Sequence, residues 1–136
     1  MNVRYTDERS FTVQQLEKLF LSVGWISGKY PERLKKALDS CGTVYTAWDG
    51  EELVGLANAI DDGELTAYVH YLLVAPEYQG QGIATSLLEL MKKRYRGYLH
   101  FFLVAEHKDL VGFYEKNGFF EQTDARVMHY NGHNDE

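Results

Sequence analysis

The segment from Leu72 to Ala84 constrains the fold of this chain more than any other part of its sequence. An apolar run ends at Val74, and a short turn after Pro76 contains Gly80 and Gly82. A helical pattern starts directly behind the second glycine, with one apolar stripe formed by Ile83, Leu87, Leu90 and Met91. A buried strand, a glycine-rich turn and an amphipathic helix in this order predict an α/β protein whose helix begins at the end of a sheet strand.

The glycine-rich turn also indicates an anionic ligand. The first N–H groups of a helix have no acceptor within the helix, and the helix dipole attracts anions to the same place. Gly80 and Gly82 carry no side chain that would block a phosphate group, and Ala84 is small. The turn lacks the last glycine of a Rossmann fingerprint, and no Gly-Lys-Ser or Gly-Lys-Thr of a P-loop follows. A tight strand-to-helix turn without a ligand is the alternative interpretation.

Composition narrows the class of protein. The chain has 136 residues, 45% hydrophobic and 25% charged, which predicts one globular domain over residues 1–130 and a polar tail over 131–136. A formal net charge of −6 argues against a nucleic-acid-binding surface. The sequence shows neither a membrane-spanning apolar run nor a secretory signal, and its single cysteine, Cys41, fits a reducing compartment. We therefore expect a cytoplasmic protein that does not bind a membrane.

Hydrophobic periodicity and turn residues predict a mixed sheet. In chain order the pattern predicts a strand at 2–6, helices beginning at Thr12 and Pro31, strands at 43–48, 52–60 and 65–75, a helix behind Gly82, a strand at 98–105, a helix at 108–117, and strands at 119–122 and 126–130. The three central strands form an antiparallel meander, which is joined to a parallel pair where the run from Leu65 meets the strand at Tyr98. Helices are expected on both faces, and ligands commonly bind where such a sheet opens.

Two motifs at matching spacing resemble the GNAT superfamily of N-acetyltransferases. Its phosphate-binding signature is Gln or Arg, two residues, Gly, one residue, then Gly or Ala, and Gln79, Gly82 and Ala84 meet it. A second matching element follows at 112–119, one helix and one strand further on. The resemblance covers nearly the whole chain, and residues 19–25 are also similar to the arylalkylamine-type subgroup. It implies a GNAT-like fold and transfer of an acetyl group from acetyl-coenzyme A to an amine.

The resemblance further implies how acetyl-coenzyme A binds. The pyrophosphate would be held by the N–H groups of Gln79, Gly80, Gln81, Gly82, Ile83, Ala84 and Thr85. The backbone of Leu72, Leu73 and Val74 would pair with the pantetheine arm like an added strand, and one N–H near Leu73 or Val74 would stabilise the oxyanion. At 105–110 the sequence lacks an asparagine that many relatives carry, so its side-chain contact to pantetheine does not carry over.

Two residues are candidates for proton transfer. The family places a tyrosine at the position of Tyr114, beside the sulfur, where its hydroxyl protonates the departing thiolate. An alkylamine must lose a proton, and an imidazole with a pKa of about 6.5 suits that task. His70 lies four residues before Val74, and strand alternation places it on the same face as Leu72 and Val74. A structural histidine is the alternative interpretation. Weaker candidates for the base are Tyr68, Glu77 and a chain of water molecules.

Several other residues have two interpretations. Trp25 and Tyr30 follow the first helix and either stack on an aromatic amine or serve packing. A basic cluster either contacts the 3′-phosphate of coenzyme A or is a solvated helix end; it comprises Lys92, Lys93, Arg94 and Arg96. The histidines lack convincing partners at metal-ligand spacing, so we predict no metal site.

Three functions remain open at this point. The first is an N-acetyltransferase in which a small-molecule or peptide amine attacks directly in a ternary complex, because no cysteine lies near the motifs to carry an acyl group. The second is a non-catalytic acyl-coenzyme A-binding sensor or regulatory module, and the third is a module that binds ATP or NAD. The family often dimerises, so the resemblance also implies a homodimer as an expectation.

Overall fold

The computed structural model describes residues 2–132 and divides into two compact units, one ending at Val104 and one beginning at Ala105. The first unit contains, in chain order, β1 (Val3–Thr6), α1 (Val13–Ser22), a 3₁₀ helix (Ile26–Lys29), α2 (Pro31–Ser40), β2 (Thr43–Asp49), β3 (Glu52–Asp61), β4 (Thr66–Val74), a 3₁₀ turn (Pro76–Tyr78), α3 (Ile83–Arg94) and β5 (His100–Leu103). The second unit contains α4 (Lys108–Lys116).

The five strands form one mixed sheet in chain order. The pairings from β1 to β4 are antiparallel, and β4 pairs with β5 in parallel. This confirms the predicted mixed α/β fold, including the meander and the place where the pairing changes direction. The prediction that residues 1–130 form a single domain is not tested by this arrangement and stays a prediction.

Local sequence signals set the starts of the first two helices. The Gln15 N–H donates to Thr12 Oγ1 at 3.1 Å, and the Thr12 N–H donates to Gln15 Oε1 at 2.8 Å, so both halves of the predicted capping box are present. Pro31 is the first residue of α2, where its missing N–H leaves no helical hydrogen bond unmade.

The helices of the first unit cover both faces of the sheet. One buried cluster joins α1 and α2 to the sheet and includes Leu16, Phe20, Leu34, Leu38, Val44, Leu56 and Leu73. The other cluster joins α3 to the opposite face and includes Val54, Ala57, Val69, Val74, Ile83, Leu87 and Met91. Neighbouring residues of β3 and β4 thus enter different clusters, as strand alternation requires.

The two predicted final strands are wrong. Residues 119–122 and 126–130 have no strand structure, and α4 is the one helix or strand of the second unit within the described residues. Their β-branched and aromatic residues favour strands, but strand preference depends on a partner that takes up the backbone hydrogen bonds. Of the predicted polar tail, residues 133–136 lie outside the described residues.

No helix within residues 2–132 is long and apolar enough to cross a bilayer.

Candidate functional site

Among the strands within residues 2–132, only β3 pairs with the carboxyl-terminal half of β4. Leu73 lies opposite Leu56, and the Ala75 N–H donates to the carbonyl oxygen of Val54 at 2.8 Å, so the N–H groups at 73 and 75 point toward β3. Those of Leu72 and Val74 therefore point to the other edge. The parallel pairing with β5 ends at Val69, before either of them. Two backbone donors about 7 Å apart along the strand are thus left on one side of β4.

The start of α3 offers a second group of backbone donors. Its first helical hydrogen bond runs from the Ser86 N–H to the carbonyl oxygen of Gly82 at 3.0 Å, so the N–H groups at 83–85 have no acceptor within the helix. No side chain caps this helix start. The Ile83 side chain is buried, whereas the residues at 80–82 and Thr85 are exposed. The turn therefore lies at the surface, with the uncapped N–H groups of the helix start beside it.

Gly80 and Gly82 are needed for the shape of this turn. Their φ angles are +81° and +87°, in the left-handed region that other residues rarely adopt. A Cβ atom at either position would meet nothing within 4 Å. The glycines therefore serve backbone conformation and an open surface, and not close packing within the protein.

Gln79 and Tyr78 tie the turn to the sheet. The Gln79 side-chain amide donates to the carbonyl oxygen of Val74 at 3.0 Å, and its backbone N–H donates to that of Pro76 at 3.3 Å. The Tyr78 hydroxyl donates to Asp49 Oδ2 at 2.7 Å, and this hydrogen bond to a carboxylate raises the pKa of Tyr78 to about 12. Gln79 thus holds the loop in place, and its predicted contact with the pyrophosphate stays a prediction.

A bulge in β4 changes the position predicted for His70. Asn58 lies opposite Tyr71 and Ala59 opposite Val69, so His70 is an extra residue on its strand. Its ring centroid lies 4.0 Å from that of Tyr71 and 5.5 Å from that of Tyr68. Tyr71 packs against the cluster of α1 and α2, so His70 lies on that face of the sheet.

The prediction that His70 shares a face with Leu72 and Val74 is therefore wrong. Both of those side chains pack against the cluster of α3, on the opposite face. Simple alternation fails because the bulge inserts one residue and inverts the pattern beyond it. The role of His70 as a base stays a prediction.

Asn58 holds the bulge in place. It is 3% exposed, and its Oδ1 accepts the Tyr71 N–H at 2.9 Å. Its Nδ2 lies 3.6 Å from the sulfur of Cys41. A buried amide side chain thus provides the acceptor at the point where the regular strand pairing is interrupted.

Five rings form a continuous row across the α1–α2 face of the sheet. We call this set the aromatic row; its members are Trp25, Tyr71, His70, Tyr68 and Phe102. The successive centroid distances are 5.8, 4.0, 5.5 and 5.1 Å, and the interplanar angles lie between 21° and 33°. The sequence analysis did not identify Tyr71 or Phe102 as site residues. The three ring-bearing residues at 68, 70 and 71 are the sequence signal that could have indicated Tyr71.

The row includes one of the two aromatic residues predicted for the acceptor pocket. Trp25 belongs to it, whereas the Tyr30 ring is 52% exposed and lies 5.8 Å from the Arg33 guanidinium carbon. The loop behind Trp25 is fixed by a 2.6 Å hydrogen bond between Ser27 Oγ and the Tyr71 hydroxyl.

Tyr114 lies on α4 in the second unit. Its side chain is half-buried, between the rings of Phe113 and Phe119 at centroid distances of 5.2 and 6.1 Å. Burial raises the pKa of the Tyr114 hydroxyl, and the carboxylate of Glu106 raises it further. The group therefore keeps its proton at neutral pH, as a proton donor must.

Three of the four residues of the basic cluster line one concavity, namely Lys92, Lys93 and Arg96. This concavity of about 550 Å³ is lined by Tyr5, Thr85, Ser86, Glu89, Leu90, Lys92, Lys93 and Arg96. Lys92 forms an ion pair with Glu89 at 2.7 Å, one helical turn earlier. Thr85, whose N–H group is one of the donors at the start of α3, also lines this concavity. The predicted contact of the basic cluster with the 3′-phosphate of coenzyme A stays a prediction. Within residues 2–132, no group of three or more His, Cys, Asp or Glu could hold a metal ion.

Comparisons with known proteins bear on the family of this chain. Residues 10–119 match the acetyltransferase (GNAT) family. The uncharacterized N-acetyltransferase ycf52 of Porphyra purpurea is 26% identical over 130 residues, which are 91% of this chain and 74% of that protein. Serotonin N-acetyltransferase 2, chloroplastic, of Oryza sativa subsp. japonica is 31% identical over 119 residues, which are 83% of this chain and 58% of that protein.

A solved structure agrees in both sequence and fold. A GNAT-family acetyltransferase from Streptococcus pneumoniae TIGR4 has a TM-score of 0.83 and 29% identity, and the likeness covers 95% of this chain and 97% of that one. The match to the family extends over most of the chain, including the glycine-rich turn, β4 and α4. This protein belongs to the GNAT family of acetyltransferases.

Proposed function

We propose that this protein transfers an acetyl group from acetyl-coenzyme A to the primary amine of a small-molecule or peptide acceptor by direct attack in a ternary complex. One observation carries the proposal. The chain belongs to an acetyltransferase family, and the outward N–H groups of Leu72 and Val74 are followed along the chain by a helix start at Gly82 that no side chain caps. This arrangement suits a ligand that has amide groups at one end and phosphates at the other.

The residues present fit acetyl-coenzyme A. The N–H groups of the turn and of the first turn of α3 would hold the pyrophosphate without any lysine, which suits a chain of net charge −6. The outward edge of β4 would hydrogen-bond the amides of the pantetheine arm in the manner of an added strand. The bound molecule supplies an acetyl group activated as a thioester.

In the reaction the amine loses one proton and the departing sulfur gains one. The acceptor nitrogen forms a bond to the acetyl carbon, the carbon–sulfur bond breaks, and the amide and the free thiol are the products. The Val74 N–H faces outward and would stabilise negative charge on the carbonyl oxygen, whereas that of Leu73 faces β3.

Two residues of this chain would move the protons. Tyr114, whose pKa is raised, would donate its hydroxyl proton to the sulfur. His70 would take the proton from the amine, directly or through water, from its place on the α1–α2 face. No cysteine lies beside these groups in the sequence, so no covalent acyl carrier is needed in the proposal.

Further expectations accompany the activity. We expect the protein to act in the cytoplasm and to form a homodimer, without nucleic-acid or membrane partners. The name of the rice relative places that protein in a chloroplast. A non-catalytic acyl-coenzyme A sensor is the second candidate, and the missing asparagine at 105–110 favours it.

Steady-state turnover separates the two candidates. The protein is incubated with acetyl-coenzyme A and a panel of primary amines, and both the released thiol and the mass of the acetylated product are measured. Turnover with at least one amine supports the transferase. Saturable binding of acetyl-coenzyme A without product from any amine would reject it in favour of the sensor.

A further inference from the structure

We infer that Asp49 and Tyr78 are positioning residues of the donor site. Their hydrogen bond fixes the segment between β4 and α3, and it thereby holds the Val74 N–H and the N–H groups at the start of α3 at the spacing that acetyl-coenzyme A requires. The inference rests on the proposed function. It adds two residues that act through the backbone donors and touch neither substrate.

The segment from Pro76 to Gly82, which joins β4 to α3, has little buried surface. Six of its seven residues are exposed, and Tyr78, which is half-buried, is the exception. On either side of the segment, Ala75 is 7% and Ile83 2% exposed. Exposed residues contribute few packing contacts, so the backbone between these two buried residues can shift unless Tyr78 holds it in place.

Tyr78 connects this segment to both layers of the protein and to a distant strand. Its side chain packs against the buried cluster of α1 and α2 and against that of α3. Its hydroxyl donates at 2.7 Å to Asp49, the last residue of β2. At this end of the sheet Ala47 lies opposite Gly55, which lies opposite Val74. The hydrogen bond therefore ties the segment to a strand two places away from β4.

The chemistry of the pair suits a lasting contact. A hydrogen bond to a carboxylate is shorter and stronger than one to a neutral acceptor. The same hydrogen bond raises the pKa of Tyr78 to about 12, so the hydroxyl keeps its proton in neutral and mildly alkaline solution. At the next residue, the Gln79 side-chain amide donates to the carbonyl oxygen of Val74 at 3.0 Å. The two residues directly before Gly80, where the left-handed turn begins, are thus both held to the sheet.

Electrostatic attraction does not explain a carboxylate at this place. Asp49, Glu52 and Glu77 all lie close enough to Tyr78 to raise its pKa, and negative charge beside a pyrophosphate site would weaken anion binding. If Asp49 acted through its charge, removal of the charge alone would strengthen the binding of acetyl-coenzyme A. If it acts as a hydrogen-bond acceptor, only the loss of the acceptor atom weakens binding. Asparagine keeps an acceptor oxygen without the charge and therefore separates the two roles.

The test measures the dissociation constant of acetyl-coenzyme A by calorimetry on variants of the full chain. Tyr78→Phe and Asp49→Ala should each weaken binding roughly 3- to 10-fold, whereas Asp49→Asn should bind more tightly than Asp49→Ala. The double variant of Tyr78→Phe and Asp49→Ala should bind no more weakly than either single variant, because both substitutions remove the same hydrogen bond. In steady-state kinetics, KM should rise for acetyl-coenzyme A and stay unchanged for the amine.

Tyr95→Phe is the matched control. The buried Tyr95 hydroxyl donates to the carboxylate of Asp61, which is a second tyrosine–carboxylate hydrogen bond, at the opposite end of α3. Its loss should lower the unfolding temperature and leave the affinity for acetyl-coenzyme A unchanged. This control separates a loss of stability from a loss of positioning.

Three results would overturn the inference: wild-type affinity in Tyr78→Phe, equal affinities in Asp49→Asn and Asp49→Ala, or an equal loss of affinity in Tyr95→Phe. Turnover by the wild type together with unchanged affinity in the variants would reject this inference and leave the proposed function standing. Weaker binding in the variants without product from any amine would support the inference and reject the transferase. No binding of acetyl-coenzyme A by the wild type would overturn both.

Discussion

The proposed donor side, at the end of β4 and the start of α3, and the proposed acceptor side, on the α1–α2 face around His70, are built from different chemical groups. At the carboxyl end of β4 and the start of α3, the groups available to a ligand are backbone N–H groups, and Gly80 and Gly82 keep side chains away. On the α1–α2 face, the available groups are side chains of the aromatic row. The first region therefore depends on backbone conformation, whereas the second depends on the identity of its side chains.

The two regions also depend on different structural devices. The donor side requires two residues with positive φ, which glycine adopts without strain. The acceptor side requires the bulge at His70, which brings the rings of His70 and Tyr71 to one face. Variants that remove one device should therefore affect one substrate and spare the other.

The largest effect is expected where the proposed chemistry is removed and both binding regions are left intact. Tyr114→Phe should lower kcat by about 100-fold or more, because the sulfur loses its proton donor, with little change in either KM. Since the pKa of Tyr114 is raised, the wild-type enzyme should keep this donor protonated through neutral pH. Its contribution should be lost only as the pH rises through that pKa, above the ordinary tyrosine value of about 10.

Kinetics across pH measure this effect. Tyr130→Phe serves as the control, because Tyr130 is 95% exposed and should leave kcat unchanged. Wild-type activity in Tyr114→Phe would remove Tyr114 from the mechanism.

Gly82→Ala should break the donor side. The φ angle of +87° costs a residue with a Cβ about 1–2 kcal/mol, so the turn relaxes and moves the N–H groups at the start of α3. Losing one or two hydrogen bonds to a charged group should weaken acetyl-coenzyme A binding by roughly 10- to 100-fold. Calorimetry measures the affinity directly.

Gly63→Ala is the matched control. Gly63 has a φ of +82° and the same open surroundings, but it lies in the turn between β3 and β4. It should cost similar stability and leave acetyl-coenzyme A binding intact. Equal loss of binding in both variants would mean that strain, and not the donor site, explains the effect.

Asn58→Ala should disturb the acceptor side. It leaves the half-buried Tyr71 N–H without its acceptor, which costs about 1–3 kcal/mol of unfolding free energy. We expect KM for the amine to rise roughly 10-fold, since a shift of one ring removes about 1.4 kcal/mol of contact, while acetyl-coenzyme A affinity stays the same. Cys41→Ala is the control, because it removes the weak contacts of the sulfur with Asn58, Leu38 and Thr43 and leaves the acceptor of the Tyr71 N–H in place. An equal loss of affinity for both substrates would contradict the separation of the two regions.

An effect of the same size as that of Asn58→Ala, but dependent on pH, is expected at His70. His70→Gln should lower kcat/KM by roughly 10-fold at pH 7, because the amine loses a group that accepts its proton. The difference should shrink toward pH 9, where a larger fraction of the amine is already neutral. A pH–rate profile of both proteins measures this change. A difference that does not vary with pH would assign His70 to binding rather than to proton transfer.

Sequence predicts the donor side better than the acceptor side because the signals differ in range. The glycine turn, the capping box at Thr12 and the order of the meander are local patterns, and the structure confirms them. The bulge in β4, by contrast, cannot be predicted from a local pattern. The apolar residues at 69 and 72 are compatible with either pairing register of β4, and the pairing of Tyr71 with Asn58 on β3 determines which register forms.

The predicted final strands show the same limitation. The residues at 119–122 and 126–130 have strand preference, but preference alone does not supply a neighbouring strand. The position of Phe102 beside Tyr68 likewise follows from the parallel register of β4 and β5, which no local pattern encodes.

Thermal unfolding with and without acetyl-coenzyme A tests the central claim, that the backbone donors of β4 and α3 form the donor site. At about 100 times its dissociation constant, acetyl-coenzyme A should stabilise the wild-type protein by roughly 2.7 kcal/mol, whereas ATP and NAD should not. The shift should be reduced in Gly82→Ala and kept in Gly63→Ala. No shift at saturating acetyl-coenzyme A, or an equal shift with ATP or NAD, would contradict the account.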